Sequence, residues 1–144
     1  MKHLLIIISL LSVFGCAQKN PYSTIYVEGV VLVDGTPMEG VSVTFSPRHQ
    51  NGNSAGGITD TAGKFRLTTG GAPINSGAIS GEYDVTFRKI HIKATTFEES
   101  QAGKQPTETY LVPAKYDDTK TSGIAPVKIE KGGNNSFKFE LKTD

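Results

Sequence analysis

Residues 41–47 read VSVTFSP, and their alternation decides the fold class. Val41, Val43 and Phe45 fall on one side of an extended chain, with Ser42, Thr44 and Ser46 on the other. Side chains of a strand point alternately to its two faces, so the segment is a strand with one dry face and one wet face. Pro47 ends it, because proline brings no N–H to a sheet ladder. The same alternation returns in EYDVTFRKI (82–90), where Tyr83, Val85 and Phe87 oppose Glu82, Asp84, Thr86 and Arg88. It returns again in SFKFELK (136–142), where Phe137, Phe139 and Leu141 oppose Ser136, Lys138, Glu140 and Lys142.

Working outward, IYVEGVVLV (25–33) is β-branched and aromatic, and DGTPMEG (34–40) is a turn. In DTAGKFRL (60–67), Asp60 is expected to accept hydrogen bonds from the turn backbone and Gly63 to take a left-handed conformation, with Phe65 and Leu67 inside. Calcium binding by the loop carboxylates Asp60, Asp117 and Asp118 is the alternative, but the dense acidic repeat of a calcium loop is missing. PVKIE (126–130) puts Val127 and Ile129 on one face. RHQNGNSAGG (48–57) and TTGGAPINSGAISG (68–81) read as loops. Between 91 and 123 the pattern is less regular. TFEESQAGK (96–104) suits a short helical turn stopped by Gly103 and Pro106, and Leu111 with Val112 a brief edge strand.

The sum is about seven short strands and no long helix. An all-β antiparallel sandwich follows, because each sheet has one oily face and the two oily faces must meet.

The leader is read separately. Residues 1–15 open with Lys2 and His3, continue with an apolar run from Leu4, and end in small residues. That is the layout of a signal peptide, and the run is too short for a spanning helix, which needs about 20 apolar residues. VFGC (13–16) resembles a bacterial lipobox, which implies cleavage before Cys16 and lipidation of that cysteine, the only one in the chain. Residues 16–24 then form a lipidated N-terminus and short tether, and 25–144 the sandwich domain. Ala17 is not aspartate, so the inner-membrane retention signal of many lipoproteins is absent and the outer membrane is the expected site. Several acyl chains, at about 0.8 kcal/mol per buried CH₂, anchor a protein firmly.

The chain carries 15 Lys and Arg against 14 Asp and Glu. Lys2 is the only one of these in the leader, so residues 16–144 are formally neutral. A nucleic-acid partner calls for a concentrated basic footprint, and none is present.

VEGVVLVDGTPMEGVSVTFSP (27–47), TDTAGKFRL (59–67) and GEYDVTF (81–87), in that order, resemble the carboxypeptidase regulatory-like, transthyretin-like family. LVPAKYDDTKTSG (111–123) and VKIEKGGNNSFKFEL (127–141) resemble the tails of small exported lipoproteins of that type from planctomycete-like bacteria. The resemblance implies a seven-stranded Greek-key, prealbumin-like sandwich, and no activity. Hydrolases of the fold use histidines, an arginine and a Tyr-Arg-Gly-Ser ending, whereas this chain ends FELKTD. Ring-cleaving dioxygenases of related fold hold iron with two tyrosines and two histidines, and the spacings here do not match.

Candidate chemistry is sparse. His49 and His91 lie in separate segments without metal-ligand spacing, so neither a metal nor another cofactor is expected. GNSAG (52–56) has the letters of a nucleophile elbow but sits in a polar loop. The expected function is therefore non-catalytic: an envelope lipoprotein serving as a structural or protein-interaction module. Its partners are the membrane, through the lipid, and another envelope protein or a polysaccharide. Carbohydrate binding is the alternative, with Tyr110 or Tyr116 as stacking platforms in a chain without tryptophan, and an enzyme of transthyretin-like fold ranks third. The interaction surface expected from the family-like tail comprises Tyr110, Lys115, Tyr116, Thr121, Ser122 and Gly123. Packing of the crossover is the competing role for that stretch.

Overall fold

The computed structural model describes residues 19–50 and 52–143. The expected signal peptide (1–15) and Cys16 lie outside the described residues. Those residues form thirteen strand segments and little helix. The first seven are β1 (Thr24–Ile25), β2 (Glu28–Val33), β3 (Thr36–Pro37), β4 (Ser42–Pro47), β5 (Ala55–Ile58), β6 (Lys64–Arg66) and β7 (Thr68–Thr69). Then come β8 (Ala78–Ile79), β9 (Gly81–Arg88), β10 (Ile90–Lys93), β11 (Thr107–Tyr110), β12 (Val127–Ile129) and β13 (Ser136–Leu141). A short helix α1 (Phe97–Gln101) joins β10 to β11, and a 3₁₀ turn spans Ala114–Asp117.

The fold is all-β, in several mostly antiparallel sheets. One sheet has the order β12-β9-β4-β5-β7. A second runs β13-β2-β3, with β6 also paired to β2. Two small ladders, β1-β8 and β10-β11, complete the set. The two larger sheets share one core. Val41, Val43, Phe45, Phe65, Leu67, Tyr83, Val85, Phe87, Ile129 and Leu141 are all buried, as alternation requires. Phe45 sits at the centre, with ring centroids 5.8–6.3 Å from Phe65, Tyr83, Phe137 and Phe139. Phe87 of one sheet meets Phe139 of the other edge-on at 4.9 Å. Such tilted contacts match the positive ring edge to the negative ring face. Phe137 and Val127, expected inside, are half-buried because they lie toward the margins of the core.

Three expectations are corrected. First, the pairing is not wholly antiparallel. β13 runs parallel to β2, from Ser136 opposite Glu28 to Leu141 opposite Val33. Parallel neighbours need a crossover, and the rest of the fold lies between these two strands and supplies it. Second, the two glycine-rich loops contain strands β5, β7 and β8. Gly56 and Gly57 disguise β5, yet the strand needs the second: a Cβ on Gly57 would stand 2.3 Å from the Arg66 carbonyl oxygen. Third, no strand forms at Leu111 and Val112: β11 ends at Tyr110, and Val112 is fully buried outside any strand.

The turn before β6 forms as expected. Asp60 Oδ1 accepts from the backbone N–H groups of Ala62 and Lys64, both at 2.9 Å. Gly63 has φ +70°, and a Cβ there would stand 2.6 Å from the Val31 carbonyl oxygen. The Asp60 carboxylate is thus engaged in closing a turn.

Candidate interaction surfaces

The stretch 110–123 does not form one surface. Tyr116, in the 3₁₀ turn, is 6% exposed, and its hydroxyl accepts the backbone N–H of Lys142 at 2.9 Å. Ser122 is 7% exposed, and its Oγ accepts from Ile124 N–H at 3.3 Å. Both residues pack the crossover against the core, which corrects their assignment to an exposed surface. Thr121 Oγ1 donates to the Lys115 carbonyl at 2.7 Å, and the Lys115 ammonium lies 5.2 Å from the Tyr116 ring centroid. Gly123 is exposed, at φ +66°. Asp117 pairs with Arg88 at 3.5 Å, and Asp118 Oδ1 accepts from Lys120 N–H at 2.8 Å. Of the two stacking platforms expected for a sugar, Tyr116 is buried and Tyr110 remains, 42% exposed.

Tyr110 belongs to an arm that the sequence did not announce. Among the described residues β10 pairs only with β11, Ile90 opposite Tyr110 through Lys93 opposite Thr107. Every residue of β11 is exposed, and Ile92 is 55% exposed. A two-stranded hairpin is marginal by itself, and this one adds nothing to the core. Its root is tied by the Arg88 guanidinium, 3.5 Å from Asp117 and 3.9 Å from Glu108. Its tip is ordered by a reciprocal cap. Thr96 Oγ1 accepts Glu99 N–H at 3.2 Å, and Glu99 Oε2 accepts Thr96 N–H at 3.1 Å. The Thr96 N–H, and then the Lys104 ammonium, hold the Glu99 carboxyl below its ordinary range. α1 has no buried residue, and Phe97 stands 78% exposed beside Glu98.

A cleft of about 710 Å³ opens beside β6. Sheet register builds its floor. Lys138 lies opposite Val30, and Val30 opposite Lys64; one row along, Ser136 faces Glu28 and Glu28 faces Arg66. Two strand spacings separate Lys64 from Lys138 by about 10 Å, and two residues along one strand separate Lys64 from Arg66 by about 7 Å. Lys64, Arg66 and Lys138 form no ion pair within 4.0 Å among the described residues. The two acids of the cleft are already engaged: Glu28 accepts from the Tyr26 hydroxyl at 2.8 Å, and Asp60 closes its turn. Ile58 and Ile74 on the rim are 70% and 85% exposed.

Among the described residues no three or more His, Cys, Asp or Glu side chains gather as metal ligands. His49 follows β4 with its Nδ1 3.3 Å from the Gln50 carbonyl, while His91 is on the arm. No family model matches the sequence, and neither does any curated protein. One solved structure is similar to it, a 9R-lipoxygenase from Cyanothece, at TM-score 0.37 and 16% identity. The match covers 99% of this chain and 18% of the lipoxygenase, and at that level it defines neither fold family nor activity.

Proposed function

We propose that the chain is a non-catalytic, membrane-anchored envelope lipoprotein whose β-sandwich domain is a protein-interaction module. In this reading residues 1–15 are removed as a signal peptide, Cys16 carries the lipid, and the anchor lies in the outer membrane. The sandwich is of the Greek-key, transthyretin-like type. That assignment draws support from two sheets closing over one aromatic core and from first and last major strands lying side by side.

The observation that carries the interaction role is the arm. Among the described residues its strands pair only with each other, and it leaves Ile92, Phe97 and Tyr110 exposed. Exposed apolar side chains on an element without a core of its own mark a surface to be covered. A photo-crosslinking amino acid at Ile92 in cells is expected to trap a protein. Labelled cells that yield only uncrosslinked chain would end this reading. Changing Cys16 to serine is expected to release the protein from membranes; undiminished membrane retention would count against lipidation.

A further inference from the structure

We propose that the cleft beside β6 receives the arm tip of a second copy of this chain. The inference rests on the reading of the chain as an interaction module and names its partner.

The cleft sets the chemistry of its occupant. Lys64, Arg66 and Lys138 surround the half-buried Val30, and Ile58 forms part of the rim. Their backbones stand about 7–10 Å apart, so the positive charge is spread along the cleft. The matching occupant carries a large apolar side chain beside a carboxylate. The arm tip is such a segment: Phe97 is 78% exposed and is followed by Glu98, while Glu99 is held in the Thr96 cap. Glu98 forms no ion pair within 4.0 Å among the described residues. Size agrees as well. A helix of five residues is about 7.5 Å long and 10–12 Å across, the same order of volume as the cleft.

Placement favours a closed pair. Ser42 is in register with Ile58 on one side and with Arg88 on the other. The cleft rim and the arm root therefore share one end of the sheet, two strands apart. Two copies can exchange arms about a two-fold axis, each tip filling the other's cleft, and such an arrangement closes as a dimer. Phe97 leaves water, and Glu98 gains the cations that it and they lack within one copy. Charge complementarity of this kind fixes register and partner choice.

The test uses the full chain in mild detergent, with mass read by size-exclusion chromatography and light scattering. A dimer is expected. Glu98→Lys or Lys64→Glu alone is expected to weaken it about tenfold, and the two together to restore it. Lys138→Glu provides a second cleft variant. A photo-crosslinker at Phe97 is expected to mark residues 56–58 or 64–66 of another copy. A monomer at every concentration, or a double swap no tighter than the single variants, overturns the proposal. Crosslinks from Phe97 to a different protein alone overturn it too, while leaving the interaction role standing; crosslinks to nothing sink both.

Discussion

The Tyr116 hydroxyl accepts the backbone N–H of Lys142 at 2.9 Å, joining the 3₁₀ turn of the crossover to the residue that follows β13. A tyrosine that the sequence offers as a surface platform is thus a strut. Removing only its oxygen leaves one N–H without its acceptor. Tyr116→Phe is expected to lower stability by about 1–2 kcal/mol in chemical denaturation. Tyr116→Ala, which also empties a buried site, is expected to cost about 3–5 kcal/mol. A neutral Tyr116→Phe would show that the strut carries no weight.

Phe87 and Phe97 make a matched pair of opposites. Phe87 is 1% exposed and touches Phe139 across the core, whereas Phe97 is 78% exposed on the arm. Phe87→Ala is expected to cost about 3–5 kcal/mol of folding stability. For Phe97→Ala the change is expected to stay within about 0.5 kcal/mol. Thermal unfolding of both variants checks the contrast, and equal losses would contradict the placement of the arm outside the core.

Gly63 and Gly35 separate two costs. Both have positive φ, but only Gly63 faces a wall, with the Val31 carbonyl oxygen 2.6 Å from an added Cβ. Gly35→Ala is expected to lose about 1–2 kcal/mol, the torsional penalty alone. Gly63→Ala is expected to lose distinctly more, because the β6 turn must shift as well. Urea midpoints of the two variants decide it. A Gly63→Ala variant as stable as Gly35→Ala would mean that the turn yields without strain.

Asp34 links the end of the chain to acid stability. Its Oδ2 accepts from Thr143 Oγ1 at 2.6 Å and its Oδ1 from Thr143 N–H at 3.3 Å. These two bonds, the side-chain one first, hold the Asp34 carboxyl below its ordinary range, with smaller help from Lys142 and Lys115. A carboxyl depressed in the folded state contributes stability above its unfolded pKa and loses it as pH falls through the folded value. Carbon-detected titration of Asp34 is expected to show the depressed midpoint, and Thr143→Ala to move it upward. An unchanged midpoint in that variant would remove Thr143 as the cause.

The basic residues of the candidate cleft were legible one at a time. Lys64, Arg66 and Lys138 occupy outward slots of strands that alternation identifies. Their assembly was not legible, because β6 and β13 flank β2 only through long-range pairing. The arm was harder still. TFEESQAGK shows its short helix and its stop at Gly103, but nothing local says that β10 and β11 leave the sheets. Tyr116 and Ser122 read as surface through the family-like tail, and nothing local opposes that reading, because burial without periodicity carries no local signal.

By itself the sequence determined which side chains are dry. Period-two alternation placed Phe45, Phe65, Tyr83, Phe87 and Leu141 inside, because successive residues of an extended chain face opposite ways. It also determined the Asp60 turn, whose bonds join residues at most four apart. Only the tertiary structure decided the parallel contact of β13 with β2, the strand hidden in Ala55–Ile58, and the surfaces left open. Those features depend on which strands become neighbours, and neighbours are chosen by the closing of the whole core rather than by any one segment.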